Sequence, residues 1–345
     1  MASDDNYAIH LGVSIVSILE NHLNDVHIHI LNNNIGKSNL KKIKNLEKHY
    51  NNLQISIYNL PDYFNKNNLE EIIKEELENT EAYNLLGISS FSRLFLADIL
   101  PKNIEKVLYL DADTLVLDSL DELFEVDLKE NFVAGVIDGV AANITKSFFK
   151  GETKSKPFIN SGVLLINLKK WRKKNPARIS IELIKNYPEK NFLNDQNIIN
   201  IISENDILLL DPKYNVMSES FYVPYKKTLK INSYFGAINE FYSEDQINNS
   251  LKNPVIVHFI TQLWDRPWMP KIGYIKYKCK NPFNKCYQYY KDKSPWKNNE
   301  MIYTNKPILE RIIFDIRRFI MVYFSAKLLF LVFYIKNRFK FKNNK

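Results

Sequence analysis

Cysteine is nearly absent: Cys279 and Cys286 are the only two in 345 residues. Two thiols cannot build a disulfide framework, and their spacing matches no zinc pattern. They read as reduced, inert thiols in a reducing compartment. No leader is expected either, because Met1-Ala2-Ser3-Asp4-Asp5 has neither a charged n-region nor an apolar h-region. A cytoplasmic location is therefore expected. No internal repeat is visible. There is also no uninterrupted apolar run of the roughly 20 residues that a spanning helix needs. The nearest approach, Phe319 to Ile335, is interrupted by Ser325, Ala326 and Lys327.

What is present is the material of a globular protein. A hydrophobic content of 45% over this length supplies a core for one large domain, or one domain plus an appendage. Charged residues at 25% exclude wholesale disorder. The net charge of +8 admits nucleic acid, a membrane surface or an anionic substrate as partner, so its location decides. Much of the excess lies in residues 311–345, interleaved with aliphatic and aromatic side chains rather than along a polar groove. No nucleic-acid partner is expected. Arg317, Arg318, Lys336, Arg338, Lys340 and Lys342 flank the apolar stretch. That pattern fits a helix lying in the interface of an anionic cytoplasmic leaflet, or else a plain packing helix.

The first 270 residues alternate strand and helix signals. Helices are expected over Ser14 to His22, Lys37 to Tyr50, Leu69 to Asn79, Ser89 to Leu100, Ile179 to Tyr187 and Gln196 to Ser203. Strands are expected over Val26 to Leu31, Leu53 to Tyr58, Val107 to Leu110, Phe132 to Ile137, Gly162 to Leu168, Ile207 to Leu210 and Val255 to Phe259. Phe148 to Pro157 has no periodicity and reads as a surface loop. The order predicts an α/β fold with a mostly parallel sheet flanked by helices.

The chemical signal is Asp111-Ala112-Asp113, directly after the apolar run Val107 to Leu110. Two carboxylates one residue apart at a strand's end point to the same side. Like charges so close repel unless a cation lies between them. A divalent metal bridging them to a diphosphate explains the pattern, although Asp-x-Asp by itself is common. Other polar residues stand at comparable places. Asp4 and Asn6 either bind a base and ribose, with Tyr7 packing on the base, or cap a turn. Arg93 either grips phosphate and sugar hydroxyls or forms a surface salt bridge. Asn160 precedes Ser161-Gly162 at a strand mouth, Asp195 and Gln196 open a helix, and His258 ends the last strand. A lone strand histidine is more often structural; beside an Asp pair it becomes a ligand candidate.

In this order the motifs resemble glycosyltransferase family 8, the bacterial lipopolysaccharide galactosyl- and glucosyltransferases of the GT-A fold. The resemblance runs over about residues 1 to 270. It rests on Ala2-Ser3-Asp4-Asp5-Asn6-Tyr7, Arg93, Asp111-Ala112-Asp113, Phe158 to Leu168, Asn194-Asp195-Gln196-Asn197, His258-Phe259 and Pro267-Trp268. It implies a GT-A catalytic domain over residues 1–270, a Rossmann-like mixed sheet flanked by helices. A basic, aromatic, membrane-associating region then follows over 271–345. It implies transfer of glucose or galactose, with retention, from a UDP-sugar to a lipopolysaccharide or other surface glycan. The protein would work as a peripheral protein on the inner face of the plasma membrane. Asp111, Asp113 and His258 would hold the metal, Mn²⁺ in preference to Mg²⁺ because imidazole favours softer ions. Ala2, Asp4, Asn6, Tyr7, Arg93, Ala112, Asn160 and Arg266 would bind the donor. Asp195 would hold the hexose hydroxyls, with Gln196 beside the anomeric carbon. A front-face route with an oxocarbenium-like transition state is expected, with covalent attack by Asp195 as the alternative.

The chain departs from the family pattern twice. The apolar strand usual before Asp-Asp-Asn-Tyr is reduced to Met1-Ala2-Ser3, which points to a start placed too late or a weakened donor site. On the second reading the protein would be an inactive sugar-nucleotide-binding relative. After His258, the usual Gly and Lys are replaced by a longer segment with Arg266 before Pro267.

Overall fold

A computed structural model describes residues 1–78, 88–138, 156–186, 194–221, 223–234, 241–260, 266–268, 282–299, 308–329 and 331. Its strands are β1 (Ala2–Ser3), β2 (Val26–Asn32), β3 (Leu53–Asn59), β4 (Lys106–Leu110), β5 (Thr114–Val116), β6 (Val133–Ile137), β7 (Ile159–Asn167), β8 (Ile207–Leu209), β9 (Val216–Met217) and β10 (Ile256–His258). β1, β2 and β3 run parallel in that order, with Ala2 opposite Leu31. The shortened first strand is thus present over two residues and hydrogen-bonded to β2. β4, β7, β6 and β8 form a second sheet, and β5, β10 and β9 a third.

The expectation of a mostly parallel sheet needs correction. β7 runs antiparallel to both β4 and β6, and β10 runs antiparallel to β5, so the architecture is a mixed sheet. Hydrophobic patterning reports which faces are covered; a continuous apolar run is usual in parallel sheets but is not confined to them. β7 shows why. Its side chains Val163 and Leu165 join one core, with Leu11, Ile15 and Ile18 of the helix Ala8–Asn21. Leu164 and Ile166 join the other, with Ile198 and Ile199 of the helix Asp195–Ile202. A strand covered on both faces reads as one apolar run whichever way it points.

Two helices differ from expectation. The helix expected from Ser14 begins at Ala8, because Ala8 and Leu11 extend the same buried face. The stretch Ile88–Phe95 is a 3₁₀ helix, with only Leu96–Ile99 α-helical. There the Ser92 hydroxyl donates to Ser89 O (2.6 Å) and the Arg93 Nε–H donates to Ser90 O (3.1 Å). Such side-chain bonds to nearby carbonyls compete with the regular ladder.

Beyond residue 281, the helix Asn284–Lys293 packs on the helix Ala8–Asn21 through Tyr287 and Tyr290. The fully buried Trp296 lies where a Cβ on Gly12 would stand, 2.0 Å from its ring. Its Nε1–H donates to Asn39 Oδ1 at 2.9 Å. The helix Ile308–Tyr323 carries exposed Ile308, Leu309, Ile312, Ile316, Phe319 and Tyr323. Among the described residues, no helix is long and apolar enough to cross a membrane. Most of the expected loop Phe148 to Pro157, and the basic tail from 332 onward, lie outside the described residues.

Candidate active site

The site gathers where β4 gives way to β5. Asp111 and Asp113 were expected to share a side through strand periodicity, but β4 ends at Leu110 and a turn places them instead. Thr114 closes that turn, its N–H and hydroxyl donating to Asp111 O at 3.3 and 2.8 Å. Asp111 N–H donates to Gly162 O (2.8 Å) and Phe259 N–H donates to Asp113 O (3.0 Å), so β7 and the end of β10 clamp the turn from both sides.

His258, the last residue of β10, completes the cluster. Its Nε2 lies 3.2 Å from Asp113 Oδ1 and 3.8 Å from Asp111 Oδ2, and one ligand atom from each of the three falls within 4.8 Å of the others. Two carboxylates and an imidazole nitrogen are a donor set that suits a divalent ion of borderline softness. Gly162 makes the packing feasible: a Cβ there would lie 2.0 Å from His258 Cε1 and 2.7 Å from Asp111 Oδ2.

Two guanidiniums border the acids. Arg93 is not a surface salt bridge: it is 6% exposed, with Nη2 2.8 Å from Asp111 Oδ1 and Nε 3.1 Å from Asp195 Oδ2. Its Nη1–H also donates to Ser161 O at 2.7 Å, and its plane lies over the Tyr109 ring, 4.6 Å from the centroid. Burial opposes its charge, but Asp111, Tyr109 and Asp195 outweigh burial and hold its pKa above the ordinary value. Arg266 reaches Asp113 Oδ2 through Nη2 at 3.1 Å and the Tyr7 hydroxyl through Nη1 at 2.8 Å, with Trp268 alongside. Its Nε–H is buried and has no partner among the described residues. For Asp113, burial raises the pKa, but His258 and then Arg266 reverse it, to about 2. For Asp195, burial dominates over the attraction of Arg93 and raises the pKa.

Beyond the acids lies a buried carboxamide patch. Asn160 Nδ2 donates to Asp138 Oδ2 (3.0 Å) and to Gln196 Oε1 (3.2 Å), while Gln196 Nε2 donates to Asp138 Oδ2 (2.8 Å). Asp195 accepts from the Ser161 hydroxyl at 3.1 Å, and Asn194 caps the helix by accepting from Asn197 N–H at 2.8 Å. Asn160 and Gln196 thus meet at Asp138, and Asp195 is joined to Asp111 through Arg93.

The opening segment stands at the rim. Asp4 accepts from Tyr7 N–H (3.0 Å) and from the exposed Asn6 (3.4 Å), a capped turn; Ala2 lies in β1, and Ala112 is buried between the two carboxylates in sequence. Tyr7 joins the site through Arg266. Three site residues escaped the sequence reading. Asp138 follows β6, and its place after a buried strand was a usable signal. Asn215 and Tyr109 gave none: one precedes a two-residue strand, and the other reads as core.

Comparison with known proteins gives the family and the fold. The profile of glycosyl transferase family 8 matches residues 1–270. The chain is 29% identical over 216 residues to a putative glycosyltransferase of Haemophilus influenzae, a match spanning 62% of this chain and 61% of that protein, under two thirds of its length. It is 28% identical over 302 residues to the lipopolysaccharide 1,2-glucosyltransferase of Escherichia coli, covering 86% of this chain and 78% of that one. The fold superposes on the galactosyltransferase LgtC, solved with donor and acceptor sugar analogues, with a TM-score of 0.63 at 23% identity over 85% of this chain and 95% of LgtC. The architecture is therefore that of the GT-A glycosyltransferases. With the family matched across more than half its length, this chain belongs to glycosyl transferase family 8 and is a glycosyltransferase.

Proposed function

We propose that the protein transfers glucose or galactose, with retention of configuration, from a UDP-hexose to a lipopolysaccharide or other cell-surface glycan. The observation that carries this reading is the convergence of Asp111, Asp113 and His258 within 4.8 Å, bordered by Arg93 and Arg266. Asp111, Asp113 and His258 would hold a divalent ion, Mn²⁺ rather than Mg²⁺, because one of the three donors is an imidazole. When bound, the ion supplies electrostatic stabilisation of charge developing on the departing diphosphate.

The remaining work falls to the side chains. Arg266, whose buried Nε–H has no partner among the described residues, suits a diphosphate oxygen. Asp4, Asn6 and Tyr7 at the rim suit the nucleoside. Asp195, tied to Arg93 and Ser161, is oriented for sugar hydroxyls. Arg93 and Ser161 both engage Asp195 Oδ2 and turn that oxygen away from carbon, which favours the front-face route beside Gln196. The lipopolysaccharide glucosyltransferase of Escherichia coli supports the choice of a hexose and a glycan acceptor.

We take residues 1–270 as the catalytic domain and 271–345 as the region that brings it to an anionic membrane surface. The exposed stripe Ile308, Ile312, Ile316, Phe319 and Tyr323, spaced for one helix face, supports that role. The test is UDP release from a panel of sugar nucleotides, followed by NMR of the anomeric proton in the product. Cleavage of one UDP-hexose with an α-linked product is expected; a β-linked product would refute retention.

A further inference from the structure

We infer that Asn215 is a positioning residue that decides which nitrogen of His258 faces the two carboxylates; the inference rests on the metal reading proposed above. Two backbone N–H groups fix the polarity of the network, because they can only donate. Gly162 N–H donates to Asn160 Oδ1 at 3.0 Å, and Ser161 N–H donates to Gln196 Oε1 at 3.1 Å. Both carboxamides are thereby oriented, and their Nδ2 and Nε2 groups converge on Asp138 Oδ2 at 3.0 and 2.8 Å.

The polarity then propagates. Asn160 Oδ1 is an acceptor, so Asn215 must present its amino group to it, and Asn215 Nδ2 stands 2.9 Å away. What remains of the Asn215 carboxamide is Oδ1, an acceptor, 3.2 Å from His258 Nδ1. Nδ1 must therefore carry a proton. Nε2 is left as the nitrogen turned toward Asp113 Oδ1, and in the neutral ring it holds the free lone pair. Asn160, Asn215 and His258 are 6%, 1% and 3% exposed, so bulk water does not offer an alternative donor or acceptor.

Asn215 is well placed for this work. It sits between the turn Pro212–Tyr214 and β9, its N–H donating to Pro212 O at 3.2 Å, and β9 pairs with β10 so that Met217 faces His258. The fold thus fixes the proton on Nδ1 before any ion arrives and leaves Nε2 as the nitrogen available to one. Partners of this kind typically change metal affinity by about 10- to 100-fold when removed.

The experiment measures Mn²⁺ affinity of the full chain by electron paramagnetic resonance of the free ion, with excess UDP present. Asn215→Leu removes both bonds, whereas Asn215→Asp keeps an acceptor for Nδ1–H and loses the donor to Asn160. The leucine variant should bind Mn²⁺ about 10- to 100-fold more weakly. The aspartate variant should stay within about threefold of the parent, under roughly 1 kcal/mol. Leucine-variant binding within that margin would overturn the inference, and so would an equal loss in the aspartate variant. If circular dichroism shows the leucine variant unfolded, the aspartate arm decides. A parent protein that binds no Mn²⁺ at all removes the metal reading itself, and this inference with it.

Discussion

Gly162→Ala is the smallest change that should disable the site. A Cβ at this position falls 2.0 Å from His258 Cε1, 2.7 Å from Asp111 Oδ2 and 2.8 Å from His258 Nδ1. Ordinary contact needs at least about 3.4 Å, so imidazole and backbone must separate by roughly 1.4 Å. The imidazole cannot absorb that shift quietly, because Asn215 holds one edge of the ring and Asp113 faces the other. Forcing a methyl into a packed core costs about 1–3 kcal/mol, and losing one buried hydrogen bond adds about 1 kcal/mol. The fold, stabilised by cores on both faces of β7, should survive. A displacement near 1 Å at reacting groups, however, lowers rates about 100-fold. The assay is UDP release from the preferred donor beside a denaturant titration of the same preparation. Turnover within about threefold of the parent (under roughly 1 kcal/mol) would refute the packing argument.

Other perturbations follow from the same geometry. Arg93→Met would leave Asp195, 3% exposed, with the Ser161 hydroxyl in place of a full charge partner. A broken buried pair costs about 3–5 kcal/mol, and Asp195→Asn in the same chain should recover part of it, as read by the denaturant midpoint. A loss below about 1 kcal/mol would mean that the carboxylates are better solvated than their burial indicates. His10, packed on Trp268 with its Nδ1 2.6 Å from the Tyr287 hydroxyl, is pushed by burial from 6.5 to about 3. It therefore takes up a proton on unfolding: its neutral form is free of penalty above 6.5, and stability falls as pH drops from there toward 3. At pH 5 the penalty is about 2 kcal/mol, and His10→Gln should flatten this part of the stability profile. An unchanged profile would show that the ring is solvated.

Much of the site was legible because its chemistry coincides with breaks in pattern. Asp111 and Asp113 interrupt an apolar run, Asp195 and Gln196 open a helix, and His258 closes a strand; the fold brings all five to one place. Asn160, read as preceding a strand, lies inside β7, where its carboxamide meets Asp138 and Gln196. Strand direction was illegible, since Val163 to Ile166 would be buried on both faces in either sense. The 3₁₀ course of Ile88–Phe95 was hidden too, because it depends on Ser92 and Arg93 bonding to carbonyls three residues back. Asp138 and Asn215 went unnoticed for a different reason. Asn215 gains meaning only from Asn160 and His258, brought beside it by tertiary contact, whereas Asp138, marked by its place after a buried strand, acquires its role from Gln196.

Asp111, Asp113 and His258 are proposed to form the cation site at which the sugar donor is cleaved. The direct measurement is UDP release as a function of Mn²⁺, in the parent protein and in Asp113→Asn, each checked for folding. Saturable activation that EDTA abolishes, with a loss of about 100-fold or more in the folded variant, is the predicted result. Full turnover in EDTA, or a folded Asp113→Asn protein as active as the parent, would contradict it.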